Sequence, residues 1–565
     1  MSLLVKQAIA ELRTAIMDAA GRAVADGEFP AVPLSDFNVE VPANRDFGDY
    51  SANAAMAWAR DLHCAPRKIA QALIDRMELC DTFFERCEVA GAGFLNFYLR
   101  SSFNACIIQD ILEKGDSYGR SDYGRGKKIN VEFVSANPTG PMHMGNARGG
   151  VLGDTLAEVL SRAGADFGLS LDIRYQQLFL GEDAVQLPED SYHGEDIIER
   201  AKEFAAVNGD KYMSASEQER RQALIDFALP KNIAAMKENM AKYRINYDTW
   251  FLESTLHNDG ELEETLNIMR DKGLTYEKDG ALWYKNKEVL AAKLREQGKS
   301  EEEIERLELK DEVLIRTNGN PTYFAADIAY HRNKLQIRGF DKAIDVWGAD
   351  HHGHVARMKG ALDAIGCNGD DLDIILMQLV RLTRDGEVVR MSKRSGKAIT
   401  LVDLLEEIPI DAVRFLFNMR EPGSQMDFDL DLAVEQSSQN PVYYCQYAHA
   451  RICSILRKLA SEGVEPRECT IPELALLTAP EEKELIKHLS GLTDEIIASA
   501  KNYDPAKITR YAVELATLFH KFYNACRVGV EDESLMQARL SLCLCVRTVL
   551  RNVLTMFSIS VPESM

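Results

Sequence analysis

The 565 residues are 46% hydrophobic with a net charge of −22, which fits a globular chain of several domains, more readily three than one. No run of about 18 apolar residues occurs, which excludes a spanning apolar helix. The acidic balance argues against a nucleic-acid partner, yet residues 181–320 hold 31 acidic against 20 basic residues, half of the whole excess, so local basic surface remains possible elsewhere. Eleven cysteines without a Cys-x-x-Cys pair fit reduced thiols in a cytosolic protein.

Residues 3–24 space Leu4, Ala8, Leu12, Ile16 and Ala20 at helical intervals, without the cleavage site of a leader. Through about residue 110 a separate unit is expected, with a second helix over 51–78 and strands near 37–41 and 91–98. Between them Arg45, Phe47 and Tyr50 share a turn-rich stretch, where aromatics either anchor a loop or stack on RNA.

A polar, glycine-rich connector over 114–128 leads into I-N-V-E-F-V-S-A-N-P-T-G-P-M-H-M-G-N-A-R-G-G at 129–150. An apolar strand (129–135) breaks at Asn137, Pro138, Gly140 and Pro141 and resumes as a helical run (147–163). The turn delivers His143, Gly145 and Asn146 to a helix start, where unpaired N–H groups and the helix dipole favour a phosphate. Glycine there lets a flat ring approach the backbone. His143 and Asn146 can donate hydrogen bonds, although the four residues alone would also suit an ordinary loop.

Helical periodicity continues at 192–207, 216–243 and 259–272, and Asp279-Gly280 predicts a hairpin over 276–284. From residue 313 the pattern alternates: strand 314–317, helix 322–338, strand 342–347, helix 355–365, strand 373–380. Such alternation implies a parallel sheet, here interrupted by an insertion at about 181–312, and ligands of these sheets bind beyond the carboxyl ends of the strands. After a second Asp-Gly turn, Arg390, Lys393, Arg394 and Lys397 crowd together with Ser392, Ser395 and Gly396, a basic loop suited to an anion whose charge grows during reaction. Helical runs at 430–460, 480–500, 505–526 and 535–556 then predict a bundle.

His143-Met144-Gly145-Asn146 and Arg390-Met391-Ser392-Lys393-Arg394 resemble the H-x-G-H and K-M-S-K-S signatures of the class I aminoacyl-tRNA synthetases. Further blocks at 135–148, 322–331, 347–354 and 440–451 resemble the arginyl-tRNA synthetase family, and the likeness runs from end to end. It implies an α/β fold with a Rossmann-like parallel-sheet catalytic domain over 111–429, an α+β N-terminal tRNA-contacting domain over 1–110 and an all-α anticodon-binding bundle over 430–565. The implied reaction is ATP-dependent ligation of arginine to tRNA(Arg) through an arginyl-adenylate, with Mg²⁺ travelling on ATP, in a cytoplasmic monomer without a membrane partner.

Carried over residue by residue, the resemblance gives His143, Asn146 and Lys393 catalytic roles. Gly145, Gly348, Asp350 and Met391 join them around ATP. Glu132, Asn137, Tyr323, Asp327 and His351 take arginine, and Arg45, Phe47, Tyr443, Tyr447 and Arg451 meet tRNA. Residue chemistry agrees for arginine, since a guanidinium wants bidentate carboxylates and hydrogen-bonding aromatics. Tyr323 and Asp327 could instead be a helix-surface pair, and Tyr444 is expected to be a core aromatic. The His-His-Gly-His run at 351–354 is expected to hold no metal, because no cysteine or carboxylate accompanies it at ligand spacing.

Three departures stand out. Asn146 replaces the second histidine and Arg390 the first lysine; each keeps a donor or a charge. The third lies between Asp166 and Phe167, where the family has a stretch resembling Y-x-x-N-D-A-G-N-Q. Either a sheet strand is lost or a segment is missing from this chain. The second is favoured, because unpaired neighbours in a parallel sheet are costly. A catalytically dead tRNA-binding relative is the competing reading, and a different nucleotidyltransferase would leave the C-terminal bundle unexplained.

Overall fold

The computed structural model describes residues 3–42, 44, 47–134, 144–158, 195–389 and 399–565; of Met144, Gly145, Asn146 and Asp350 it describes the backbone. Helix α1 (Leu3–Ala25) buries Ala8, Leu12, Ile16 and Ala19, the stripe set by its 3.6-residue period. Beside it lies an antiparallel sheet in the order β1 (Val39–Glu40), β2 (Tyr50–Ala52), β4 (Phe94–Leu99), β3 (Phe84–Ala90). The helix expected over 51–78 does not form as one piece. Residues 50–52 are buried strand, paired to β1 and β4, and the helices Ala54–Ala57 and Pro66–Ile74 are separate, because Pro66 can begin a helix but not continue one. Helix α2 (Ser101–Lys114) packs against C-terminal helices: the Cys545 thiol donates to the Ile108 carbonyl at 3.5 Å, and Asn552 donates to Gly115 at 2.9 Å.

Three of the expected strands, β5 (Ile129–Glu132), β9 (Lys342–Gly348) and β10 (Leu372–Met377), form one parallel sheet in the order β10-β9-β5. Segment 314–317 does not join it. Instead β8 (Glu312–Ile315) pairs antiparallel with the hairpin β6 (Thr275–Lys278) and β7 (Ala281–Tyr284), whose turn residues Asp279 and Gly280 both have positive φ, 51° and 74°, as a type I′ turn requires. Leu314 is buried there beside Leu282 and Tyr284.

Helix α3 (Met144–Glu158) lies directly on β5. A Cβ on Gly153 would stand 2.0 Å from the Phe133 ring, so only glycine permits this approach. Thr322 caps α4 (Tyr323–Arg332), which runs into a π turn over Asn333–Ile337; α5 (His352–Ile365) comes after β9. Strands β11 (Val380–Arg384) and β12 (Glu387–Val389) form a hairpin, and β13 (Met426–Asp429), unforeseen in the sequence, pairs parallel with β11. The bundle contains α6 (Pro441–Ser461), α7 (Pro480–Ser490), α8 (Leu492–Asn502), α9 (Ala506–Ala525) and α10 (Glu533–Met556). The run expected over 430–460 is broken before Pro441, and 480–500 divides at Gly491.

Arg414, fully buried on the helix Ile410–Phe417, binds these layers together. It donates to the carbonyls of Phe557 (2.5 Å) and Tyr243 (2.8 Å) and pairs with Asp154 of α3. Removing one partner of a buried pair leaves an uncompensated charge, so Arg414→Met should destabilise the protein by about 3–5 kcal/mol. Chemical denaturation checks this, and an unshifted transition midpoint would refute it.

Candidate active site at the carboxyl edge of the parallel sheet

Glu132 ends β5 and is 5% exposed; it lies in register with Asp345 of β9. Two carboxylates side by side on one sheet face repel each other, and here a fully buried cation answers them. Lys334 Nζ stands 2.5 Å from Glu132 Oε2 and 2.9 and 3.1 Å from the two oxygens of Asp345. Burial would pull the Lys334 ammonium down, but the carboxylates of Asp345 and Glu132 push it well above its ordinary value. For Asp345, burial acts upward, and Lys334 and His331 outweigh it, so the carboxyl sits below its usual range.

His331 carries the network onward. Its Nδ1 contacts the Asp327 carbonyl and its Nε2 contacts Asp345 Oδ2, each at 2.7 Å. His354 Nε2 lies 3.3 Å from Asp327 Oδ2, so the run at 351–354 gives a partner to the Asp327 carboxylate. Trp347 stands between the rings, 5.4 Å from His354 and 6.2 Å from His351. Glu132 is thereby linked through Lys334, Asp345 and His331 to the main-chain carbonyl of Asp327, whose carboxylate meets His354; His351 adjoins this cluster through the Trp347 ring, and Tyr323 stays 67% exposed one turn before Asp327. Gly348 closes β9, in register with Met377 of β10, and Asp350 lies just beyond it in a single 3-10 turn. Gly145 and Asn146 occupy the first turn of α3. His143, Asn137, Met391 and Lys393 lie outside the described residues; the basic loop's described flanks are Val389, ending β12, and Thr400, capping the helix Leu401–Glu407.

Sequence reasoning misses Lys334, His331 and Asp345. A signal for the first two exists: 323, 327, 331 and 334 share one helical face. It also misses Arg148, 1% exposed, whose guanidinium donates to the carbonyls of Gln378 (2.8 Å), Ser424 (3.1 Å) and Glu421 (3.1 Å). That fork pins the start of α3 to Gln378, just after β10, and to the loop before β13.

A second concave surface lies on the bundle. Tyr443, Tyr444, Tyr447 and Arg451 of α6, with Ser438, His520 and Asn524, line a cavity of about 410 Å³. Arg451 donates to the Tyr447 hydroxyl at 2.9 Å and stacks 4.4 Å from the Tyr523 ring centre. Tyr444 and Tyr447 lie 5.0 and 5.8 Å from His520. Burial, helped by Arg451, holds the His520 imidazole below its ordinary value. Tyr444 is half-buried against the core, as expected, yet also lines this cavity. In the N-terminal unit the aromatic pair divides: Tyr50 is buried and Phe47 is half exposed. Arg45 lies outside the described residues.

Two family models match opposite ends of the chain. The model of the arginyl tRNA synthetase N terminal domain matches residues 5–99, and that of the DALR anticodon binding domain matches residues 445–565. The arginine–tRNA ligase of Ruminiclostridium cellulolyticum is 49% identical over 98% of each chain, and that of Caldanaerobacter subterraneus 49% identical over 100% of each. The chain belongs to the arginyl-tRNA synthetase family. The Thermus thermophilus arginyl-tRNA synthetase structure, 22% identical, covers 98% of this chain and all of its own with a TM-score of 0.69, and so shares the fold. The Caldanaerobacter alignment spans 581 positions against 565 residues here, so some of the relative's synthetase sequence has no counterpart in this chain. The junction of Asp166 and Phe167, where the gap is expected, lies outside the described residues.

Proposed function

We propose that this synthetase joins arginine to tRNA(Arg) in two steps, with the network at the carboxyl edge of β5 and β9 as its arginine site. The arginine carboxylate attacks the α-phosphorus of ATP and pyrophosphate leaves; the 3′-terminal ribose hydroxyl of tRNA then attacks the acyl carbon and AMP leaves. Such transfers need little covalent help, only positioning and charge neutralisation. Glu132 and Asp327 supply carboxylates to the guanidinium, with Asn137, Tyr323 and His351 around them. His143, Gly145 and Asn146 hold ATP at the start of α3, Gly348 and Asp350 border the adenosine, and the loop with Met391 and Lys393 closes over the leaving pyrophosphate. ATP brings Mg²⁺, which adds positive charge at the phosphates.

The observation that carries this reading is the acid network joining β5, α4 and β9, buried around Lys334 and reaching solvent at Asp327, toward the sheet edge where ligands of parallel sheets bind. The domains divide at about residues 110 and 430, with Arg45 and Phe47 on one tRNA-contacting surface and Tyr443, Tyr447 and Arg451 on the anticodon-binding one. The protein acts as a cytoplasmic monomer. Attachment of labelled arginine to tRNA(Arg) with Mg²⁺-ATP tests the whole, and absence of product would favour the tRNA-binding relative without catalysis. Tyr447→Ala should raise the KM for tRNA about 5- to 100-fold, the worth of one stacked base, and leave the KM for arginine unchanged. An unaltered tRNA KM in steady-state aminoacylation would remove Tyr447 from the interface.

A further inference from the structure

The two acids assigned to the guanidinium sit on different elements, Glu132 at the end of β5 and Asp327 on α4. A bidentate clamp works only if its carboxylates are fixed relative to each other to within a fraction of an ångström. One side chain ties the end of α4 to β5. Lys334 lies seven residues after Asp327, two turns along the same face, and its ammonium reaches Glu132 while also holding Asp345. His331, between the two in sequence, fastens Asp345 to the Asp327 carbonyl.

Lys334 reaches this position from irregular backbone. The α-helix gives way after Arg332 to a π turn over Asn333–Ile337, and the ammonium comes to rest 4.5 Å from the centre of the Tyr330 ring with the whole residue 0% exposed. A π turn adds a residue to the turn and re-aims the side chains beyond it, and such turns concentrate at functional sites. Stability alone does not explain the arrangement, since apolar residues of similar volume usually serve a buried site as well as ions or better. A buried lysine between carboxylates offers a fixed orientation for each.

We propose that Lys334 is a positioning residue for arginine recognition, setting Glu132 on β5 against Asp327 on α4 so that both carboxylates meet one guanidinium. This rests on the assignment of Glu132 and Asp327 to the arginine site. Lys334 is enclosed by the protein and has no role toward ATP or tRNA, so its loss should be felt in one Michaelis constant.

The test compares E132Q, K334Q, K334R and the double variant E132Q/K334Q by steady-state aminoacylation of tRNA(Arg), varying arginine, ATP and tRNA in turn. E132Q should raise the KM for arginine about tenfold or more, the scale of one charge-assisted contact. K334Q should do the same while the KM values for ATP and tRNA stay within about twofold. The double variant should be no worse than E132Q alone, because Lys334 acts through Glu132. K334R keeps the buried charge and so the fold, but its planar fork cannot reproduce the single ammonium contact; it should raise the arginine KM by at least about fivefold, and it carries the test together with the double variant if K334Q does not fold. Additive losses in the double variant, equal increases in all three constants, or a K334R enzyme with unchanged arginine KM would overturn the proposal. If E132Q itself leaves the arginine KM unchanged, the assignment of Glu132 falls first and the role of Lys334 falls with it; an effect of E132Q without one of Lys334 overturns only the latter.

Discussion

Replacing Lys393 with alanine is expected to slow formation of the arginyl-adenylate by about 10²- to 10³-fold, the range for a charge aimed at a developing anion, with tRNA affinity changed less than about threefold. The negative charge on the leaving pyrophosphate grows as its bond to the α-phosphorus stretches, so a cation that closes on it stabilises the transition state more than bound ATP. The effect should therefore fall on the rate rather than on ground-state binding. The flanks of the loop suit that task. Val389 ends a hairpin strand whose partner β11 is paired to β13, and Thr400 begins a helix through a reciprocal cap with Asp403. Both ends are thus held by regular structure, and β11 starts just after Met377, where β10 reaches the same sheet edge as Glu132. Exchange of radiophosphorus-labelled pyrophosphate into ATP in the presence of tRNA measures activation, and filter binding measures tRNA affinity. Equal losses in both would refute the role.

Asp327→Asn should raise the KM for arginine about 30- to 100-fold, because the carboxamide has the shape of the carboxylate but neither its charge nor its second acceptor for a guanidinium. The side chain is 44% exposed and its oxygen lies 3.3 Å from His354, a contact that an amide can keep. The backbone carbonyl that receives His331 is untouched, so the fold should survive and the KM for ATP should stay near that of the parent. Aminoacylation at graded arginine concentrations, with thermal melting as a control, decides the matter. An unchanged arginine KM would reduce Asp327 to a helix-surface partner of Tyr323.

Much of the scaffold is legible in the sequence because it depends on neighbours a few residues apart. Strands 129–132, 342–348 and 372–377 arise from short apolar runs between turn residues, the hairpin from Asp279-Gly280, and α9 and α10 from uninterrupted helical periods. Misreadings arise where a local pattern meets a distant partner. Ser51 and Ala52 look helical in their own context, yet with Tyr50 they are drawn into a sheet by residues 95–97. Met426–Asp429 is too short to declare itself as a strand until β11 lies beside it, and Glu312–Ile315 reads as parallel sheet because its antiparallel partner is invisible from its own sequence.

The site divides in the same way. Motif and residue chemistry alone name Glu132, Asp327 and His351, since a guanidinium-binding surface needs acids and the family pattern supplies their positions. No stretch of sequence states that Glu132 and Asp345, more than 200 residues apart, come into register on adjacent strands, or that Lys334 is buried between them. Periodicity sets which residues share a face within one element. Which faces meet, and which charges must then find a partner out of reach of water, is decided only when the sheet closes and the low dielectric of the interior makes an unpaired carboxylate too costly to leave alone.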